Sequence, residues 1–227
     1  PLSLHDALPI YVDNVTAYPD HEACARLSLL QGVTTMVSGN CGLSVPDVAE
    51  FFRKMDQGYP FHHAELIGGS TLRRMAGATD IYTPATDEQI ARTCELARQA
   101  LEQGAAGISF GLGYTPGTAL KEVYALARVA KEFGRLITVD TRMRDDYDLS
   151  SLADVIQVAR DTGVRALVSH LVYQYGECVM EESLQMLDKA RAEGLDIWAD
   201  SGMYVDWATT IGSECFRESY VFAHKDL

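Results

Sequence analysis

The chain has 227 residues, 47% of them apolar and 22% charged, and its 19 basic against 32 acidic side chains leave a formal net charge of −13. That length suits one α/β barrel or one large open sheet, which need roughly 200 to 250 residues, and the negative balance disfavours nucleic acid and anionic membranes. No apolar run approaches the roughly 18 residues of a membrane span, and no secretion signal precedes the first element, so a cytoplasmic protein is expected.

Pro1 to Ile10 reads as a non-native leader, and residues 11–227 as one domain. The pattern then predicts a strand over Tyr11 to Thr16, a helix over His21 to Gln31, a strand over Thr34 to Ser38 and a helix over Pro46 to Gln57. A third strand is expected at Glu65 to Ile67, followed by helices at Ser70 to Met75 and Asp87 to Gln103. Strands at Gly107 to Leu112, Leu136 to Asp140, Ala166 to His170 and Asp196 to Asp200 then alternate with helices at Ala119 to Phe133, Leu149 to Thr162 and Met180 to Glu193. Gly32, Gly104, Gly134, Gly163 and Gly194 each follow a helical run, where glycine can end the helix in a left-handed conformation. Thr86 with Gln89 three residues on has the make-up of a capping box.

Alternation of this kind means parallel strands joined by crossover helices. Seven strands fit an open doubly wound sheet or an incomplete (β/α)8 TIM-type barrel. No G-x-G-x-x-G follows the first strand, so the α/β barrel is preferred.

A parallel barrel builds its active site from the C-terminal ends of its strands. The chemically capable side chains fall at those ends: Cys41 within Gly39-Asn40-Cys41-Gly42, Tyr114, Asp140, His170 and Asp200. Each has a plainer reading, Cys41 as a small core hydrophobe, Asp140 as a turn cap and His170 as a core histidine bonded to backbone. His62 and His63 precede the third strand, away from the presumed pocket, and read as surface residues. Glu181 and Glu182 suit a helix N-terminus. Arg73 with Arg74 and Arg142 with Arg144 are the densest basic spots, and neither makes a patch. The five cysteines are scattered, odd in number and never spaced C-x-x-C, which suggests neither disulfides nor a zinc ribbon.

Four segments together resemble the amidohydrolase superfamily, and within it the N-acyl-D-amino-acid deacylases, or D-aminoacylases. Gly32-Val33-Thr34-Thr35 leading to Gly39-Asn40-Cys41-Gly42 resembles a segment whose cysteine binds metal. Ser109 through Tyr114 and Pro116 is similar to one whose tyrosine contacts substrate, and Ser169-His170-Leu171 to one whose histidine binds metal. Asp200 to Tyr204 matches a fourth, with Tyr204 at its second tyrosine. The resemblance covers roughly Tyr11 to Ser213. It implies a metal-dependent barrel joined to a β-sandwich and hydrolysis of the amide of N-acyl-D-amino acids.

The chain departs from that pattern in several places. Asn14-Val15-Thr16 stands near the family's H-x-H pair, Asp140-Thr141-Arg142 in its H-x-R context, and Gly69 where relatives have histidine. The last strand with its catalytic aspartate and the β-sandwich have no counterpart before Leu227. Cys41, Asp140 and His170 remain as a thiolate, a carboxylate and an imidazole, a set suited to one zinc ion with an open position. On this expectation Asp200 substitutes as acid/base, and Tyr114 and Tyr204 position a small N-acyl amino acid. Two alternatives stand beside it: a Cys41-His170-Asp140 cysteine hydrolase, and a non-catalytic small-molecule-binding remnant of the fold. Unpaired barrel edges would favour self-association.

Overall fold

The computed structural model describes residues 21–202 except 59–61, 143–146 and 177. The predicted strand at Tyr11 to Thr16, with Asn14-Val15-Thr16, lies outside the described residues. From the N-terminus, α1 (His21–Leu30) leads to β1 (Thr35–Ser38), and α2 (Val48–Met55) to β2 (His62–Glu65), β3 (Ile67–Gly68) and α3 (Gly69–Met75). Next come α4 (Asp87–Glu102), β4 (Gly107–Gly111), α5 (Leu120–Glu132), β5 (Leu136–Asp140) and α6 (Ser150–Thr162). The described part closes with β6 (Arg165–Val168), α7 (Tyr173–Gly176), α8 (Met180–Ala192) and β7 (Ile197–Ala199).

All strand pairs are parallel, β1 with β2 and then β3-β4-β5-β6-β7 in sequence order. Only Leu66 separates β2 from β3. Its N–H donates to Ser38 O at 2.8 Å, while Glu65 O accepts from Ala106 N–H at 2.7 Å, so the ladder passes through this point. Sequential parallel order with helical crossovers is an α/β barrel, and among the described residues it is an incomplete one, with no strand joining β7 back to β1.

The sequence of β4, Gly-Ile-Ser-Phe-Gly, shows how the two faces are assigned. Successive side chains point to opposite faces. Ile108 and Phe110 enter the core with Ile137, Val139, Val168 and Ile197, packed against the apolar stripes of α4, α5 and α6. Ser109, Gly111, Thr138 and Asp140 share the other face through the pairings Ser109 with Thr138 and Gly111 with Asp140. This inner face is small and polar, which leaves room for chemistry at the strand ends.

Local signals are realised closely. Thr86 Oγ1 accepts from Gln89 N–H at 3.3 Å and Gln89 Oε1 from Thr86 N–H at 2.9 Å, completing the capping box of α4. All five predicted helix-ending glycines have positive φ. Glu181 and Glu182 lie in the first turn of α8, exposed to solvent. Among the described residues no helix is long and apolar enough to cross a membrane.

Two departures have physical causes. The third strand begins at His62 rather than Glu65, because pairing with β1 in the register Thr35 to His62 extends a segment with little strand propensity of its own. Arg73, read from sequence as part of a basic spot, is buried: it forms an ion pair with Glu122 of α5 with both side chains nearly inaccessible. Its guanidinium also donates to Thr83 O at 2.9 Å, while Glu122 Oε1 accepts from Ala119 N–H at 2.9 Å and Ala85 N–H at 3.2 Å. The pair thus ties the 76–86 loop to α3 and α5. Glu122→Ala should cost about 3–5 kcal/mol in denaturant unfolding, since it strands a buried guanidinium. Adding Arg73→Met should recover part of that loss; an unfolding midpoint unchanged by Glu122→Ala would contradict this role.

Candidate functional site

The loop Gly39-Asn40-Cys41-Gly42 leaves β1 in a left-handed path, with φ of 80°, 54° and 81° at Gly39, Cys41 and Gly42. A Cβ on Gly111 would lie 2.0 Å from Cys41 O, so the thiol-bearing loop can rest on β4 only because that strand ends in glycine. Gly42 N–H donates to Ser109 Oγ at 3.1 Å, which anchors the same loop from below.

β5 delivers Asp140 as its last residue, opposite Gly111. β6 ends at Val168, and Ser169 N–H continues the ladder to Val139 O at 2.9 Å. His170 then turns with φ of 39°, a conformation disfavoured for a residue with a Cβ. The Asp200 carboxylate accepts its N–H, and Asp200 O accepts Leu171 N–H at 2.8 Å. The His170 ring also packs against Tyr173, with centroids 4.7 Å apart.

Three side chains from three strand ends converge. Cys41 Sγ lies 3.3 Å from His170 Nε2, and His170 Nδ1 lies 3.8 Å from Asp140 Oδ1. One donor atom from each falls within 4.8 Å of the others, and all three residues are buried. Donors bound to one tetrahedral ion at 2.0–2.3 Å lie about 3.3–3.8 Å apart, so the three side chains would draw closer together to hold it. Among the described residues these form the one group of three such side chains with metal-ligand spacing.

Burial governs the charges. It raises Asp140 to about 7, against a smaller lowering by its hydrogen bond with Cys41, and the nearby Asp200 carboxylate pushes it further up. Burial lowers His170 to about 4. Asp200 is also raised by burial, opposed by the hydrogen bond from His170 N–H. Burial therefore favours the neutral forms of Asp140 and His170, and a cation would offset that desolvation by attraction.

No family model matches the chain. It is 32% identical over 213 residues to N-acyl-D-glutamate deacylase of Alcaligenes xylosoxydans xylosoxydans, covering 80% of this chain and 42% of that protein. To D-aminoacylase of the same organism it is 29% identical over 209 residues, covering 80% and 43%. The crystal structure of N-acyl-D-glutamate deacylase from Bordetella bronchiseptica, complexed with zinc and a phosphonate mimic of the tetrahedral intermediate, aligns with a TM-score of 0.74 and 30% identity. That alignment covers 84% of this chain and 45% of the other. A D-aminoacylase studied for one-metal activation and second-metal attenuation of its binuclear centre aligns with a TM-score of 0.71 at 25% identity, over 80% and 44%.

The chain resembles the D-aminoacylases in both sequence and fold.

It spans less than half the length of these relatives. Within this D-aminoacylase-like barrel, Cys41, Asp140 and His170 come together as the sequence suggested, with Asp200 behind His170. Tyr114 is half-buried on the turn after β4, and Tyr204 lies outside the described residues. Arg142 does not point a free guanidinium at the triad: it donates to Thr118 O at 2.5 Å and holds the loop after β4. Gly69 is closely packed, since a Cβ there would lie 3.1 Å from both Ser109 O and the Phe110 ring.

His62 is exposed as expected, but the surface reading of His63 is corrected. His63 Nε2 lies 2.7 Å from Ser38 Oγ, Ser38 donates to the buried Glu65 carboxylate, and the His63 ring packs on Phe51 of α2 at 4.9 Å. Burial lowers His63 to about 4. The register pairing Met36 with His63 and Ser38 with Glu65 places this cluster on the helix-facing side of the sheet, apart from the triad. The His63-x-Glu65 spacing was the available sequence signal, but its partner Ser38 emerges only with strand pairing.

The sign of the Asp140 shift gives a test on metal-free protein. Its folded pKa lies above the unfolded value, so its favourable contribution is complete at low pH and is lost as pH rises from about 4 through about 7. Asp140→Asn should therefore gain stability relative to the parent across that window, by up to about 1 kcal/mol per pH unit. Parallel urea melts at several pH values measure the difference; a difference that does not change with pH would mean Asp140 ionises as freely as in water.

Proposed function

We propose that this barrel is a metal-dependent hydrolase of a linear amide, acting on N-acyl-D-amino acids, with Cys41, Asp140 and His170 holding one zinc ion. The observation that carries the proposal is the convergence of a thiol, a carboxylate and an imidazole at the C-terminal ends of β1, β5 and β6. The similarity to deacylases, one of them solved with zinc and a tetrahedral-intermediate mimic, supplies the reaction class. The one-metal activation described for a D-aminoacylase supports a single ion.

Bound zinc would lower the pKa of a water and polarise the amide carbonyl. The chain's own groups supply the rest. Cys41 and Asp140 give up their protons to become ligands, while His170 is already neutral at physiological pH because burial keeps its pKa low. Asp200 is the remaining carboxylate. Its Oδ2 is buried without a hydrogen-bond partner among the described residues, and its raised pKa suits it to hold a proton and pass it to the leaving amine nitrogen. Tyr114 and Tyr204 would position the acyl amino acid. A reducing, cytoplasmic setting suits the reading because Cys41 must stay a free thiol.

A second reading has a geometric basis. Sγ faces Nε2 and a carboxylate faces Nδ1, the arrangement of nucleophile, base and orienting acid in a cysteine hydrolase. A base held near pKa 4 is weak for that task, which places this reading second.

Elemental analysis separates the two. Cys41→Ala and His170→Ala should lose zinc, His62→Ala should retain it, and Asp140→His should raise occupancy by replacing a carboxylate that resists ionisation. Equal, near-zero zinc in all variants and in the parent would remove the metal reading; turnover that then disappears on thiol alkylation would establish the cysteine hydrolase.

The same protonation states predict a pH dependence of binding. Zinc affinity should rise from pH 6 to pH 8 by up to about tenfold per unit for each proton released, with a shallower slope in Asp140→His. Competition titrations with a chromophoric chelator measure this, and a flat profile would contradict ligands that are protonated before zinc binds.

A further inference from the structure

We propose that Asn40 is the positioning residue that sets Cys41 against Asp140 and His170. Its Oδ1 accepts from Thr138 Oγ1 at 2.7 Å, and its Nδ2 donates to Ser169 Oγ at 3.1 Å. Thr138 stands on the same inner face of β5 as Asp140, two residues before it, and Ser169 immediately precedes His170. One amide thus joins the three strand ends that carry the triad, through partners adjacent or next but one to each triad residue.

The backbone explains why such a link is needed. Cys41 and His170 both occupy left-handed conformations, which a residue with a Cβ adopts only when its surroundings hold it there. Ser109 of β4 holds the loop backbone through Gly42 N–H and Gly39 O, which fixes its height over the sheet. Asn40 supplies the lateral hold toward β5 and β6. An amide fits this place because it offers an acceptor to Thr138 and a donor to Ser169 at once. Leucine has the same branched outline, is bulkier, and offers neither.

The zinc arm of the test rests on the metal-site reading above, whereas the thiol arm does not. Asn40→Leu should weaken zinc binding about 10- to 100-fold, as loss of a group that orients ligands does, and should shift the thiolate-to-cobalt absorption of the Co(II)-loaded protein. In metal-free protein, iodoacetamide followed by peptide mass mapping should show Cys41, buried in the parent, alkylated several times faster, with the exposed Cys178 unchanged. Thr138→Val should move both readouts in the same direction, and Thr138→Ser, which keeps the hydroxyl, should restore the parent values. Leu187→Ala, on the buried face of α8, controls for lost stability alone. If Asn40→Leu and Thr138→Val alter Cys41 reactivity no more than Leu187→Ala does, the positioning role is wrong. Should the parent bind neither zinc nor cobalt, the metal reading fails and the alkylation rates alone decide for or against Asn40. Should Asn40→Leu not fold, Thr138→Val and Ser169→Ala decide in its place.

Discussion

The close approach of the loop after β1 to the backbone of the neighbouring strands is the constraint from which the site follows. A Cβ on Gly68 would lie 2.2 Å from Gly42 O, and one on Gly111 would lie 2.0 Å from Cys41 O. Main chain rests on main chain at both points, a contact that only glycine on the underlying strands permits. Because the loop sits this low, the Cys41 thiol reaches the ends of β5 and β6 rather than solvent. A side chain at either glycine would lift it by more than the tolerance of a ligand triangle.

Dryness is the second consequence. Cys41, Asp140 and His170 are all buried, and burial pushes the Asp140 carboxyl up and the His170 imidazole down, each toward its neutral form. Asp200 adds a carboxylate that disfavours a second negative charge at Asp140 while bonding the His170 N–H. A buried group of neutralised donors is costly as a purely structural element and well suited to a cation, since the same low dielectric that penalises bare charges strengthens their attraction to an ion.

Polar groups are buried on both sides of this sheet, with different consequences. On the helix-facing side, Ser38, His63 and Glu65 bond to one another beneath α2, and Arg73 pairs with Glu122 between α3 and α5. These arrangements fix the crossovers. On the inner side, Asn40, Thr138, Ser169 and Ser109 form hydrogen bonds that hold the loop carrying Cys41. The barrel spends polar residues on its scaffold as well as on its chemistry, which is why residue type alone did not separate His63 from His170.

The sequence by itself determined the elements and the direction in which they point. Apolar periodicity, the Thr86 capping box and five helix-ending glycines are local signals acting within a few residues, and they place the helices and strands together with Cys41, Asp140, His170 and Asp200 at strand ends. Tertiary structure alone decided which of those side chains meet. Cys41 and His170 are 129 positions apart and touch only after four crossovers have fixed the order and register of β1 through β6. Register brought His63 to Ser38 and partly out of solvent, and the loop geometry gave Asp200 the His170 N–H and Asn40 its two hydroxyl partners. Those contacts depend on hydrogen bonds between distant strands, whose alignment no local pattern encodes.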